Sequence, residues 1–181
     1  MKKIISLFQR NYDGDHLVRN EVVKGAEWVV SGEGIATRKF DGTCCMVRDG
    51  KLFKRYDAKK GKLPPSGFEP AQEPDEVTGH WPGWVPVGNE KNDRWHREAF
   101  ELVGGYDLED GTYELCGEKI QSNPDNFVGH VLIRHGETCF HDAPRDFEGI
   151  KKYLEPMTIE GIVWHHPDGR MVKIKRKDFF K

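Results

Sequence analysis

The chain has 181 residues and a mass of 20.8 kDa, which is room for one domain, or one domain with a long insertion, but not for two full hydrophobic cores. Hydrophobic residues make up 36% and charged residues 32%, so with a mean hydropathy of -0.72 the core has to be built around the 20 aromatic side chains (5 Trp, 5 Tyr, 10 Phe). A net charge of -2, from 28 Lys and Arg against 30 Asp and Glu, excludes a protein that coats nucleic acid through its overall charge; a polyanionic partner has to meet a local basic patch.

Met1 to Arg10 carries two lysines and then an apolar run too short for a secretory signal, and no apolar stretch of about 18 residues follows anywhere, so a cytoplasmic location is expected. Gly34 to Phe40 reads as a strand. Thr43 to Arg48 and Lys51 to Arg55 flank Asp49-Gly50, the signature of a hairpin closed by a type I′ turn. Residues 61–90 hold six of the ten prolines, together with Trp81 and Trp84, and read as a long irregular insertion rather than a separate domain. A helix is expected over Asn92 to Val103, with Trp95, Ala99, Leu102 and Val103 forming a core-facing stripe. Strands follow at Thr112 to Cys116 and His130 to Arg134, and a second helix at Asp146 to Leu154 presents Phe147, Ile150 and Leu154 on one side.

Near the C-terminus, Gly161 to His166 and Arg170 to Lys175 form a second hairpin around Pro167-Asp168-Gly169. In the returning strand Met171, Lys173 and Lys175 face one way while Val172 and Ile174 face the other. The expected class is α+β, antiparallel-rich, with at least six short strands. The four cysteines, Cys44, Cys45, Cys116 and Cys139, show no CxxC spacing and are expected to remain reduced thiols, not a zinc site.

Lys39-Phe40-Asp41-Gly42 sits between a strand and the first hairpin, where a lysine can be held rigidly at the mouth of a sheet. Downstream, in order, come Tyr113-Glu114-Leu115, Glu160-Gly161-Ile162-Val163 and Lys173-Ile174-Lys175, each placing a charge in an otherwise apolar strand. Such charges need a partner or a ligand. These segments resemble, in form and order, the nucleotide-binding motifs of the covalent nucleotidyltransferase superfamily of ATP-dependent ligases and mRNA capping enzymes, over about three quarters of the chain. Ala36 to Cys45 together with Gly79 to Val87 looks most like the small 5′-3′ RNA ligase family that includes the vertebrate enzyme.

The resemblance implies a single nucleotidyltransferase domain over residues 1–181 with a Pro/Trp-rich insertion at about 61–90. Since the chain stops six residues after Lys175, no OB-fold domain is expected. It implies an ATP-dependent RNA ligase: Lys39 attacks the α-phosphate of ATP, AMP passes to a 5′-phosphate RNA end, and a 3′-hydroxyl displaces AMP. A lysine at its ordinary pKa of about 10.4 has no lone pair to offer at neutral pH, so the family surrounds it with cations, here Lys173, Lys175 and a bound Mg²⁺ or Mn²⁺. In this reading Glu160 holds the metal, Asp41 positions its hydration shell or the attacking hydroxyl, and Gly42 lets the backbone turn tightly beside the nucleotide. Glu114 accepts a ribose hydroxyl, Arg55 grips ribose or phosphate, and Thr37 and Arg38 frame adenine. The aromatic ring that the family stacks on adenine has no counterpart in His130 to His135, and Cys44 stands where DNA ligases commonly carry arginine.

RNA is then expected on two basic segments, Arg48 to Lys62, with seven Lys and Arg against two Asp, and Lys173 to Lys177. Three other readings compete: a non-catalytic nucleotide- or RNA-binding relative, a nick-sealing ligase that needs a partner, and a metal centre built from His130, His135, Cys139 and His141. The gaps in that last set lack the regular pairing of zinc sites.

Overall fold

A computed structural model describes residues 2–104 and 107–180. Two compact units are present. One unit, called flanking because its two segments bracket the other in sequence, is built from Ile4–Phe40 and from Gly136 onward; the other, central in sequence, is built from Asp41–His135 with residues 2–3.

The flanking unit opens with β1 (Ile5–Ser6), β2 (Phe8–Arg10), β3 (Val18–Val22), the short α1 (Glu27–Val30) and β4 (Ile35–Lys39). The chain then forms the central unit: β5 (Thr43–Arg48), β6 (Lys51–Ala58), β7 (Glu69–Pro70), β8 (Trp81–Pro86), α2 (Arg94–Leu102), β9 (Gly111–Gly117) and β10 (His130–Arg134). It completes the flanking unit with α3 (Phe147–Leu154), β11 (Gly161–His165) and β12 (Met171–Lys175).

In the flanking unit the sheet runs β1-β12-β11-β4, beside a β2-β3 hairpin. The β12-β11-β4 pairings are antiparallel and the short β1 pairs parallel to β12. Alternation along β12 buries Val172 and Ile174 completely and leaves Met171, Lys173 and Lys175 on the half-exposed face. Under the apolar face lie Leu7, Phe8, Val29, Ile150, Leu154, Ile162 and Trp164, with Phe8, Phe147 and Phe179 edge-to-face at 5.0, 5.2 and 6.5 Å between ring centroids. Asp146 caps α3 by accepting the Gly149 amide at 2.9 Å.

The central sheet runs β10-β9-β5-β6-β8-β7, all antiparallel. Its core is Cys45, Val47, Leu52, Ala99, Tyr113 and Leu115. Asp49 and Gly50 take φ of +51° and +67°, as a type I′ turn requires. Two expectations need correction. Residues 61–80 are largely irregular, but 81–86 form β8, which pairs with β6 along six residues because its prolines fall at positions the ladder tolerates. In α2, Ala99 is buried but Leu102 is 69% exposed, so the expected core stripe breaks off before the helix end. The fold is α+β, sheet-rich and antiparallel-rich. No helix among the described residues is long and apolar enough to cross a membrane.

Candidate functional site

The flanking sheet brings three lysines and a glutamate together. Register places Lys39 opposite Gly161, and Gly161 opposite Lys175, so the two lysines flank a glycine on the middle strand; two rows along, on the same face, Thr37, Val163 and Lys173 line up in the same way. A Cβ at Gly161 would run into the Ile174 carbonyl, so the crossing of β11 and β12 at this row depends on glycine. Glu160 immediately precedes the strand and divides its carboxylate: Oε2 lies 2.5 Å from Lys39 Nζ and Oε1 2.5 Å from Lys175 Nζ. The carboxylate side chain is only 8% exposed, against 19% and 24% for the two lysines.

Burial raises the Glu160 pKa, but Lys39 and Lys175 outweigh it and hold the carboxyl below its usual range. The Lys173 side chain makes no hydrogen bond or ion pair among the described residues. Burial first, then repulsion from Lys175 and Lys39, bring its pKa down to about 8. Three ammonium groups therefore share one carboxylate, and the excess positive charge calls for an anion.

Thr37 and Arg38 are committed internally. Thr37 is 2% exposed and its hydroxyl donates to the Val163 carbonyl at 3.1 Å. The Arg38 amide donates to the Thr138 carbonyl at 2.8 Å and its guanidinium lies 4.6 Å over the Phe40 ring.

The central unit holds a second constellation. Glu114 on β9 accepts the Gly42 amide at 3.2 Å on Oε1 and sits 2.8 Å from His135 Nε2 on Oε2. His135 Nδ1 lies 2.9 Å from the Thr112 hydroxyl, and Cys44 pairs with Glu114 across β5 and β9. Donor atoms of Cys44, Glu114 and His135 lie within 4.8 Å of one another. Gly42 is needed for space: a Cβ there would strike the Leu115 carbonyl and come within 2.8 Å of Glu114 Cγ. Asp41, half-buried, opens this unit. Arg55, opposite Trp84 in the β6-β8 ladder, lies 5.2 Å over the indole ring, and burial lowers its pKa.

Of the four residues in the histidine-rich reading, only His135 enters a converging donor set among the described residues. His130 is 3% exposed, stacked 4.4 Å from the Trp95 ring with Nδ1 2.8 Å from Glu98. The basic stretch is also thinner than its count suggests. Arg48 Nη2 donates to both carboxylate oxygens of Glu69 at 2.8 Å, and Lys54 pairs with Asp93, which is 2% exposed, leaving Lys51, Lys59, Lys60 and Lys62 exposed. Sequence reasoning missed His135 as the partner of Glu114, and Asp93 as the partner of Lys54; neither pair has a local signature.

The site presents a lysine pinned to a carboxylate among further lysines, on an antiparallel α+β scaffold. The family model for RNA ligase 1 matches residues 99–180. RNA ligase 1 of Pongo abelii is 31% identical, with 78% of this chain and 66% of that protein covered. RNA ligase 1 of Danio rerio is 27% identical, over 78% and 66%, and that of Rattus norvegicus 29%, over the same shares. The chain belongs to the RNA ligase family that these proteins represent, and it spans about two thirds of their length.

Proposed function

We propose that the chain is an ATP-dependent RNA ligase with Lys39 as nucleophile, read as a nucleotidyltransferase domain. The observation that carries this reading is the Glu160 carboxylate shared between Lys39 and Lys175, with Lys173 unpaired beside them. An incoming triphosphate supplies the negative charge that the three lysines lack. Lys39 Nζ, having given up its ammonium proton to solvent, attacks the α-phosphorus; the P–N bond forms as the bond to pyrophosphate breaks, pyrophosphate leaves, and the new phosphoramidate nitrogen releases its surplus proton to solvent. AMP then passes to the 5′-phosphate of an RNA end, freeing Lys39, and a 3′-hydroxyl displaces AMP to form the phosphodiester.

In the ligand-free protein Lys39 Nζ is held by Glu160. Glu160 is a hard oxygen donor suited to Mg²⁺ or Mn²⁺, with Asp41 as the other assigned carboxylate; so few carboxylates suit an ion that completes its shell with phosphate oxygens and water. Such an ion, when bound, supplies positive charge beside the phosphate. Were Glu160 to hold the ion, it would release Lys39 Nζ for attack, and Lys173 and Lys175 would meet charge building on the α-phosphate. The same reading assigns Glu114 to a ribose hydroxyl, Arg55 to ribose or phosphate, Gly42 to close backbone approach, and Thr37 and Arg38 to the adenine surround.

The test is intact mass after incubation with ATP and Mg²⁺ or Mn²⁺, comparing wild type with Lys39→Ala. AMP added to wild type alone is the expected result. AMP on the variant removes Lys39 as nucleophile, and no adduct on either removes the ligase reading in favour of binding alone.

A further inference from the structure

We infer that Cys44, Glu114 and His135 form a site for a borderline-soft divalent cation of the Zn²⁺ or Co²⁺ class, separate in chemistry from the hard-metal role assigned to Glu160. Three adjacent strands present the ligands: Cys44 on β5 stands opposite Glu114 on β9, and His135 continues β10 one residue beyond Arg134, the partner of Tyr113. Their donor atoms lie within 4.8 Å of one another without rearrangement of the sheet. A thiol, an imidazole and one carboxylate oxygen make a donor set that Mg²⁺ does not select and Zn²⁺ does. Three protein ligands also leave a fourth tetrahedral position open to water or a ligand.

The surroundings orient each donor as a metal ligand needs. His135 Nδ1 is engaged by the Thr112 hydroxyl at 2.9 Å, and the His135 amide donates to the Thr112 carbonyl at 3.0 Å, so the ring turns Nε2 toward Glu114. Glu114 keeps Oε1 on the Gly42 amide and has Oε2 to give. Cys44 binds as the thiolate, its proton leaving to solvent. His135 now shares Glu114 by a direct contact; the ion takes its place between them.

The consequence for catalysis rests on the ligase reading of Glu114: an ion here occupies the carboxylate assigned to the ribose, so Zn²⁺ slows adenylation. Titration of the untagged full chain with Co²⁺, without nucleotide, tests the site independently. One Co²⁺ per chain is expected, with the visible bands of a tetrahedral ion and a near-ultraviolet sulfur-to-cobalt charge-transfer band. Cys44→Ser loses the charge-transfer band. His135→Gln keeps it but binds roughly tenfold more weakly or worse, and Thr112→Val weakens binding roughly tenfold through the ring orientation. A wild-type titration with no charge-transfer band overturns the site. So does a band that survives Cys44→Ser, because the thiolate is then Cys45, Cys116 or Cys139. Circular dichroism checks that Cys44→Ser folds; if it does not, the His135→Gln titration decides, and unchanged affinity there also overturns the site. In the adenylation assay equimolar Zn²⁺ slows wild type and spares Cys44→Ser; unaffected wild type overturns the inhibitory role alone. Failure to form lysyl-AMP under any condition sinks the ligase reading and leaves the Co²⁺ result standing.

Discussion

Lys39 Nζ and Glu160 Oε2 lie 2.5 Å apart, joined through the β4-β11 ladder in which Lys39 faces Gly161, the next residue after Glu160. The carboxylate offsets two lysines at once, so its loss is felt beyond one pair. Glu160→Gln removes the carboxylate that Lys39 and Lys175 share and leaves Lys173 only the field of Asp178, itself paired with Arg10; a fall of about 1 to 3 kcal/mol in unfolding free energy at pH 7 is expected, discounted for the partial exposure of the lysines. Because the folded Glu160 pKa is lowered, its contribution is present above the ordinary carboxyl pKa of about 4.3 and is lost as pH falls through the folded value. Urea denaturation of wild type and variant from pH 7 down to pH 3 measures this. Curves that stay a constant distance apart across that range would sink the assignment.

Lys173 carries the opposite sign. Its pKa falls to about 8 in the folded protein against about 10.4 unfolded, so below pH 8 the ammonium works against folding; the cost fades as pH rises from about 8 toward 10. Lys173→Met is therefore expected to raise ligand-free stability at pH 7 by about 1 to 3 kcal/mol, allowing for solvent screening, with the advantage shrinking at pH 9 to 10. The same variant loses stabilisation by pyrophosphate, because the anion no longer relieves repulsion. Thermal melting with and without pyrophosphate at pH 7 and pH 9.5 separates the two effects. A destabilised variant at pH 7 would contradict the charge argument.

Much of this site was legible in the sequence because it rides on short-range periodicity. Alternation in Met171 to Lys175 put both lysines on one face, and Asp49-Gly50 announced the hairpin that follows the Lys39 strand. Pairings across long sequence gaps were not legible: nothing local in Glu114 points to His135 or Cys44, and nothing in Lys54 points to Asp93. The prolines of 81–86 masked a six-residue strand because proline is weak evidence against an antiparallel ladder when its missing donor faces away from the pairing. At the chain start, β1 is only two residues long and carries no periodicity to detect. Leu102 completed a helical stripe in sequence yet faces solvent, as apolar residues near helix ends often do.

Gly42 does not take a left-handed backbone, so its requirement is space. A methyl group there meets the Leu115 carbonyl, Glu114 Cγ and the Cys116 sulfur at once, and the backbone carbonyl has no easy way to give. Gly42→Ala is expected to cost about 1 to 3 kcal/mol of stability by overpacking and to disturb the hydrogen bond that the residue 42 amide donates to Glu114. In the ligase reading its adenylation rate then falls more than its stability predicts. Differential scanning calorimetry with single-turnover adenylation tests this, and an alanine variant with wild-type melting temperature and rate would remove Gly42 from the site.

The basic stretch Arg48 to Lys62 divides by partner. Arg48 and Lys54 are spent on Glu69 and Asp93, whereas Lys59, Lys60 and Lys62 are exposed. Lys54→Met strands the buried Asp93 carboxylate and is expected to cost about 2 to 4 kcal/mol of stability. Replacing Lys59, Lys60 and Lys62 together with alanine should leave folding intact and weaken affinity for a 5′-phosphorylated single-stranded RNA. If all three lysines contact phosphates, the slope of log K against log salt falls by about 2, since each single-strand contact contributes about 0.7. Fluorescence anisotropy titrations across a range of KCl concentrations read that slope directly. An unchanged slope in the triple variant would move the RNA off this segment and onto the tail around Lys177, whose side chain is also exposed.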